Sequence, residues 1–157
     1  MTQNSVEYEI RDISDIELIR PLWNQLNEHH HANARAFRHL YAHGTFDDRK
    51  AYFHAVSEAG LFRLDLARDP VSGKYAGYCI SSLSQDKNGE IESLFVDKIF
   101  RSRGIGTELL TRALAWLDAN GSVRNRVPVA DGNEEVFPFY RKFGFHPRMP
   151  VLEQTRD

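Results

Sequence analysis

Between Leu61 and Val96 the chain reads as three strands in succession, and no other feature limits the fold as tightly. In "LFRLDLARD", Phe62, Leu64 and Leu66 alternate with Arg63, Asp65 and Ala67. That period belongs to a strand with one buried face. "DPVSGK" supplies turn residues, and "YAGYCISSLS" resumes as a second strand, so the pair reads as a hairpin. "KNGE" turns again, and "EIESLFV" (Glu90 to Val96) makes a third strand. Links this short suit antiparallel neighbours.

The rest of the chain must cover that sheet. "VEYEIRD" is a further strand, with Val6, Tyr8 and Ile10 alternating against charged residues. "SDIELIRPLWNQLNEHHH" reads as a helix opened by Ser14 as N-cap, with Glu17 three residues on in a capping-box pattern. Pro21 predicts a kink or a late start. "DDRKAYFHAVSEAG" reads as a second helix, ended by Gly60. After the three strands, a helix is expected from about Ile105 to Ala119. Ile105, Leu109, Leu110, Ala113, Leu114 and Leu117 form its buried stripe, and Asn120-Gly121 closes it. "RVPVA" is a short strand candidate, "NEEVFPFYRKFG" a short helix, and "FHPRMPVLEQ" a last extended segment. The order β-α-α-β-β-β-α-β-α-β predicts an α/β (α+β layered) fold, a mixed, mostly antiparallel sheet with helices on both faces.

With 157 residues, 41% of them hydrophobic and 27% charged, one folded domain over 1–157 is the expectation. A net charge of −2 argues against nucleic-acid or anionic-membrane binding through bulk charge. Lone Cys79 excludes an intrachain disulfide framework and reads as core rather than nucleophile. The polar, acidic start is unlike a signal peptide, and no apolar run approaches a membrane span of ~20 residues. A cytoplasmic location is the expectation.

Any anion site must therefore be local, and "FVDKIFRSRGIGTELL" supplies a candidate. A strand gives way to a loop with three cationic side chains, and Gly104 and Gly106 stand where a helix begins. Helix starts carry unpaired N–H groups and a positive dipole end. Glycines let a phosphate approach that backbone, and arginines add charge. The plain alternative is an ordinary strand-to-helix loop with surface arginines. No Gly-Lys-Ser/Thr follows, and Leu109 occupies the third-glycine position of a dinucleotide loop.

Two separated stretches narrow the choice. Arg101-Ser102-Arg103-Gly104-Ile105-Gly106 meets Arg/Gln-x-x-Gly-x-Gly/Ala. "NEEVFPFYRKFGF" is similar to Asn-x-x-Ala-x-x-Phe-Tyr-x-Lys-x-Gly-Phe, with Asn133, Phe139, Tyr140, Lys142, Gly144 and Phe145 matching. Val136 and Pro138 depart from that pattern. Together they resemble the GCN5-related N-acetyltransferase superfamily. The resemblance implies the acyl-CoA N-acyltransferase fold and acetyl transfer from acetyl-CoA, a cosubstrate, to an amine. It implies that the amides from Ser102 to Thr107, with Ile105 between, hold the pyrophosphate while Arg101 and Arg103 serve phosphates. The strand at Leu94, Phe95 and Val96 would pair with the pantetheine and offer N–H groups to the carbonyl oxygen. Asn133, Tyr140 and Lys142 would complete the cofactor site.

By the same resemblance Tyr140 would protonate the leaving thiolate, and Glu92, alternating with Leu94 and Val96, would be the base. The segment joining the first two helices would wall the acceptor pocket, which brings in His29, His30 and Phe37. Five of the seven histidines lie there, and His39 and His43 have an i, i+4 spacing. With no third ligand at metal spacing, no metal is expected. The rival to an enzyme is a non-catalytic CoA-binding sensor or regulatory domain of the same fold. Homodimers are common among such folds, and no stretch here marks an interface.

Overall fold

The computed structural model describes residues 5–156. Five strands form one sheet in chain order: β1 (Glu7–Arg11), β2 (Leu61–Arg68), β3 (Tyr75–Leu83), β4 (Asn88–Val96) and β5 (Arg124–Arg126). β1 to β4 are antiparallel neighbours, and β5 runs parallel to β4. Five helices complete the order: α1 (Arg20–Asn33), α2 (Arg38–His43), α3 (Phe46–Ala59), α4 (Ile105–Ala119) and α5 (Phe137–Arg141). The mixed, mostly antiparallel sheet with helices on both faces follows the sequence reading.

β3 is buried nearly end to end, because it lies inside the sheet with both faces covered. On one face Cys79 and Ile91 pack against Leu109, Leu110 and Leu117 of α4. On the other, Ile16, Ile19, Phe53, Leu64, Tyr78 and Ile80 pack beneath α1 and α3. The α4 stripe is buried as its spacing predicts, except that Leu114 is only partly covered at its edge.

Several local expectations are corrected. Asp12, not Ser14, caps the first helical turn: its carboxylate accepts from Ser14 N–H at 2.8 Å. Glu17 closes no capping box and instead pairs with Arg20 and Lys50, each at 2.8 Å. Residues Ile13–Ile19 form a 3-10 turn, and α1 starts late, with Pro21 in its first turn where no N–H is missed. β5 forms at Arg124–Arg126 rather than across "RVPVA"; Val127 and Val129 pack on the α4-side core without a ladder. The expected last strand is absent. Residues 145–156 carry no ladder, and Met149, Val151 and Leu152 are exposed.

One irregularity shapes the site. Ile80 pairs with Ser93 but Ser81 pairs with Ile91, so Glu92 is an extra residue in β4. A bulge shifts the side-chain alternation by one. Ile91 therefore joins Leu94 and Val96 on the α4 face, while Glu92 turns to the α3 face beside Ser82 and Tyr52. The expected alternation of Glu92 with Leu94 and Val96 does not hold.

Candidate active site

β4 has N–H groups left open past the end of β5. β5 pairs with β4 only from Asn88 to Glu90 and then leaves. Asp97 N–H donates to Ala76 C=O at 2.8 Å, which fixes the ladder phase at the end of the strand. Antiparallel ladders alternate, so Phe95 also faces β3, and the N–H groups of Leu94 and Val96 point into the gap that β5 vacates. Arg101 Nε closes the end of that gap by donating to Val96 C=O at 3.2 Å.

The following loop delivers a bare helix start. Asp97 caps a 3-10 turn over Lys98–Phe100 by accepting from Ile99 N–H at 3.1 Å, and Gln25 Nε2 donates to its other oxygen at 3.0 Å. Ser102 (φ 66°) and Gly104 (φ 75°) are left-handed, which bends the chain sharply into α4. Gly104 is the N-cap and has no side chain to accept from the first turn. The first-turn N–H groups thus remain open to an anion, reinforced by the helix dipole. A Cβ on Gly106 would lie 3.6 Å from Phe139 and 3.7 Å from Val96, so glycine leaves the cleft floor clear.

β4, this loop, α1 and α5 enclose a cleft of about 370 Å³. Leu94, Phe95 and Val96 form one wall, and Arg101, Ser102, Gly104, Ile105, Gly106 and Thr107 form the floor. Asn133 and Tyr140 close the far side, and His29 reaches in from α1. Leu26, Phe100, Glu135, Val136 and Phe139 also line it and escaped the sequence reading. Leu26 continues the helical apolar spacing of Leu22 and Trp23 along α1, and its exposure to a cleft has no signature of its own.

Tyr140 is 8% exposed, set edge-on against Phe139 and Phe145. Burial pushes its hydroxyl above the ordinary phenol value, so it stays protonated at neutral pH. Pro138 lies in the first turn of α5, after a separate 3-10 turn over Glu134–Val136, and breaks no helix. Asn133 stands at the N-cap position of that earlier turn without a side-chain bond to it; instead its Oδ1 accepts from His29 Nε2 at 3.2 Å. The same Nε2 lies 3.0 Å from Glu135 Oε1. Arg35 ties this segment to the end of α1 through Asp131 (2.5 Å) and Glu134. Gly132 (φ 90°) fits there because a Cβ would fall 2.1 Å from Asn33 C=O.

Other expected residues lie off the cleft wall. Arg103 stacks over Phe100 at 5.3 Å, and Lys142 is exposed at the end of α5. Glu92 accepts from Tyr52 Oη at 2.9 Å and Ser82 Oγ at 2.7 Å. Burial and the Glu92 charge raise the Tyr52 phenol to about 12, so it remains a donor. His30 packs against Tyr41 at 5.3 Å; burial, then His29 and Arg49, push it down to about 4. Phe37 is half-buried at the start of α2, 6.4 Å from the His39 ring. Cys79 is buried, and burial raises its thiol. Among the described residues, no three His, Cys, Asp or Glu side chains converge as a metal site, and no helix is long and apolar enough to cross a membrane.

Residues 23–145 match the family model described as Acetyltransferase (GNAT) family. An uncharacterized N-acetyltransferase from Methanocaldococcus jannaschii is 33% identical over 96 residues, which is 60% of this chain and 42% of that relative. The chain thus matches less than half of that relative's length. Among solved structures, a GCN5-related N-acetyltransferase from Ralstonia eutropha superposes with a TM-score of 0.75 at 20% identity, covering 96% of this chain and 98% of that one. An aminoglycoside N-acetyltransferase in complex with CoA gives 0.71 at 16% identity, covering 99% and 98%. At such identities these two likenesses concern the fold.

Proposed function

Because the chain belongs to the GNAT acetyltransferase family, we propose that it is an enzyme, one domain over 1–157, that moves the acetyl group of acetyl-CoA to an amine by direct attack in a ternary complex. The observation that carries this reading is the meeting, in one cleft, of the unpaired β4 edge, the uncapped start of α4 and the Tyr140 hydroxyl.

Acetyl-CoA supplies an activated thioester. The residues present suit it: the α4 first turn and the Ser102–Thr107 backbone for the pyrophosphate, with Arg101 beside them, and the β4 edge for the pantetheine. Leu94 and Val96 N–H groups, open toward the cleft, would be the donors to a carbonyl oxygen gaining charge. Tyr140 gives its proton to the thiolate as the C–S bond breaks; burial keeps the hydroxyl protonated beforehand but makes it a weaker acid, so the transfer relies on the basicity of the sulfur as it leaves. Glu92 takes the proton of the attacking amine. Held by Tyr52 and Ser82 and set off the cleft wall, it acts through an intervening solvent molecule rather than by contact. Direct attack is favoured because Cys79, buried and with a raised thiol, is no nucleophile.

Calorimetric titration with acetyl-CoA and with desulfo-CoA tests the cofactor, and thiol release across a panel of amines tests the transfer. Micromolar binding with thiol release supports the enzyme. Binding without release for any amine would favour a CoA-sensing domain, and no binding would leave only a shared fold.

A further inference from the structure

On the α3 face of β4, beside the cleft but outside its wall, stands a cation with no ion-pair partner among the described residues. The Arg49 guanidinium lies 4.4 Å over the Tyr52 ring and 4.8 Å over the Phe53 ring, and Nη2 donates to Glu92 C=O at 3.3 Å. It makes no ion pair with any described residue, whereas its neighbours Arg20 and Lys50 both pair with Glu17. Glu92 offers Arg49 its backbone carbonyl, not its carboxylate, because the bulge frees that carbonyl and the side chain is committed to Tyr52 and Ser82. A half-buried guanidinium stacked on one side, with most of its N–H groups unused, is suited to a planar oxyanion. A second unmet group stands nearby. His30 Nδ1 is buried with no hydrogen-bond partner, and the Arg49 charge reaches both His30 and Tyr41.

We infer that Arg49 anchors the carboxylate of the acceptor, and that the acceptor is a small amine carrying a carboxylate one or two carbons from its nitrogen, an α- or β-amino acid. The inference rests on the acetyl-transfer reading and specifies its acceptor. The spacing selects the class. Arg49 is fixed at Glu92, and the donors proposed for the acetyl oxygen begin at Leu94. The Glu92 carbonyl and the Leu94 N–H have only Ser93 between them, roughly 4 Å of strand, and Nη2 stands 3.3 Å from that carbonyl, about 7 Å in all. A guanidinium–carboxylate pair with N···O near ~2.8 Å, plus one or two carbons, covers about that distance and brings the amine to Leu94. A longer amine would overshoot, and an amine without the carboxylate would leave Arg49 unpaired.

The test measures thiol release from acetyl-CoA with matched pairs: tyrosine and tyramine, histidine and histamine, lysine and cadaverine, and β-alanine and ethylamine. Wild type should favour at least one acid over its decarboxylated partner by tenfold or more in kcat/KM. Arg49→Met, which keeps the apolar stem over Phe53, should raise KM for that acid by about tenfold or more and erase the preference. Its acetyl-CoA affinity should stay within about twofold, since Arg49 is no part of the cleft wall. Arg49→Lys, which keeps the charge and loses the planar fork, should fall between. Equal or better turnover of the decarboxylated amines would overturn the inference while leaving acetyl transfer intact. Silence of the whole panel in a protein that binds acetyl-CoA would also overturn it, and failure to bind acetyl-CoA would instead remove the reading beneath it.

Discussion

Gly106→Ala should make the protein more stable and a poorer binder of acetyl-CoA. Gly106 is the second residue of α4, and its φ is not left-handed. Alanine gains about 0.5–1 kcal/mol over glycine in a helix, chiefly by losing less backbone freedom on folding. The new methyl would rest 3.6 Å from Phe139 and 3.7 Å from Val96, ordinary contacts that need no rearrangement. At this chain length the gain should read as a rise in Tm of roughly 1–4 °C. Phe139 and Val96 both line the cleft, so the same methyl fills the floor over which a phosphate would reach the first-turn N–H groups. Losing one such charge-assisted bond costs about 1.5–3 kcal/mol, hence roughly 10–100-fold in affinity. Gly104→Ala is the control with the opposite stability effect. Its φ is 75°, where a side chain costs about 1–2 kcal/mol, yet its Cβ would meet nothing within 4 Å. Tm should fall, and affinity should change less than for Gly106→Ala. Scanning calorimetry and titration on the two variants read both quantities. A stabilised Gly106→Ala protein that binds acetyl-CoA as wild type does would refute the placement of the pyrophosphate.

Tyr140→Phe should lower kcat by about a hundredfold while acetyl-CoA affinity stays within a few fold, because the ring still fills its slot; stopped-flow thiol release separates the two, and an unaltered kcat would remove the hydroxyl from the chemistry. Glu92→Gln should flatten the acidic limb of the kcat/KM profile, and a limb that persists would place the base elsewhere. His30 titrates near 4 when folded against an ordinary 6.5, so the unfolded chain takes up a proton the folded chain refuses. Stability is full above pH 6.5 and drains as pH falls toward 4. After discounting for partial exposure, wild type should lose about 1–2 kcal/mol more than His30→Leu between pH 6.5 and 4.5 in urea titrations. Parallel losses would show that His30 is not held neutral by burial.

The strands and α4 were legible in the sequence because their signals are local. Phe62, Leu64 and Leu66 show a period of two, and the stripe from Ile105 to Leu117 shows a helical one. The shape of the loop before α4 was legible for the same reason, since two glycines at fixed offsets mark a sharp entry into a helix. What escaped depends on partners distant in the chain. β5 lies three residues earlier than the valines suggested, because pairing to Asn88–Glu90, not hydrophobicity, decides where the ladder forms. The His29–Asn133 bond joins residues 104 apart and leaves no mark in either segment. The Arg49 bond to Glu92 C=O likewise joins residues 43 apart and depends on how α3 packs on β4.

The bulge at Glu92 explains how one strand could serve both proposed roles. In a flat strand, residues 91 to 96 would strictly alternate, and Glu92 would point into the α4-side core with Leu94 and Val96. A carboxylate there would face apolar packing from Leu109 and Leu110 at a desolvation cost that no available partner offsets. The extra residue moves Ile91 into that core and puts Glu92 between Tyr52 and Ser82, where both oxygens find donors. It also turns the Glu92 carbonyl out of the ladder to hold Arg49. Beyond the bulge the regular ladder resumes, so Leu94 and Val96 keep their N–H groups in the cleft. One irregular residue thereby separates the polar group of Glu92, Tyr52, Ser82 and Arg49 on the α3 face from the open backbone edge proposed for the cofactor. A β4 without it would have to give up either the buried core or the carboxylate.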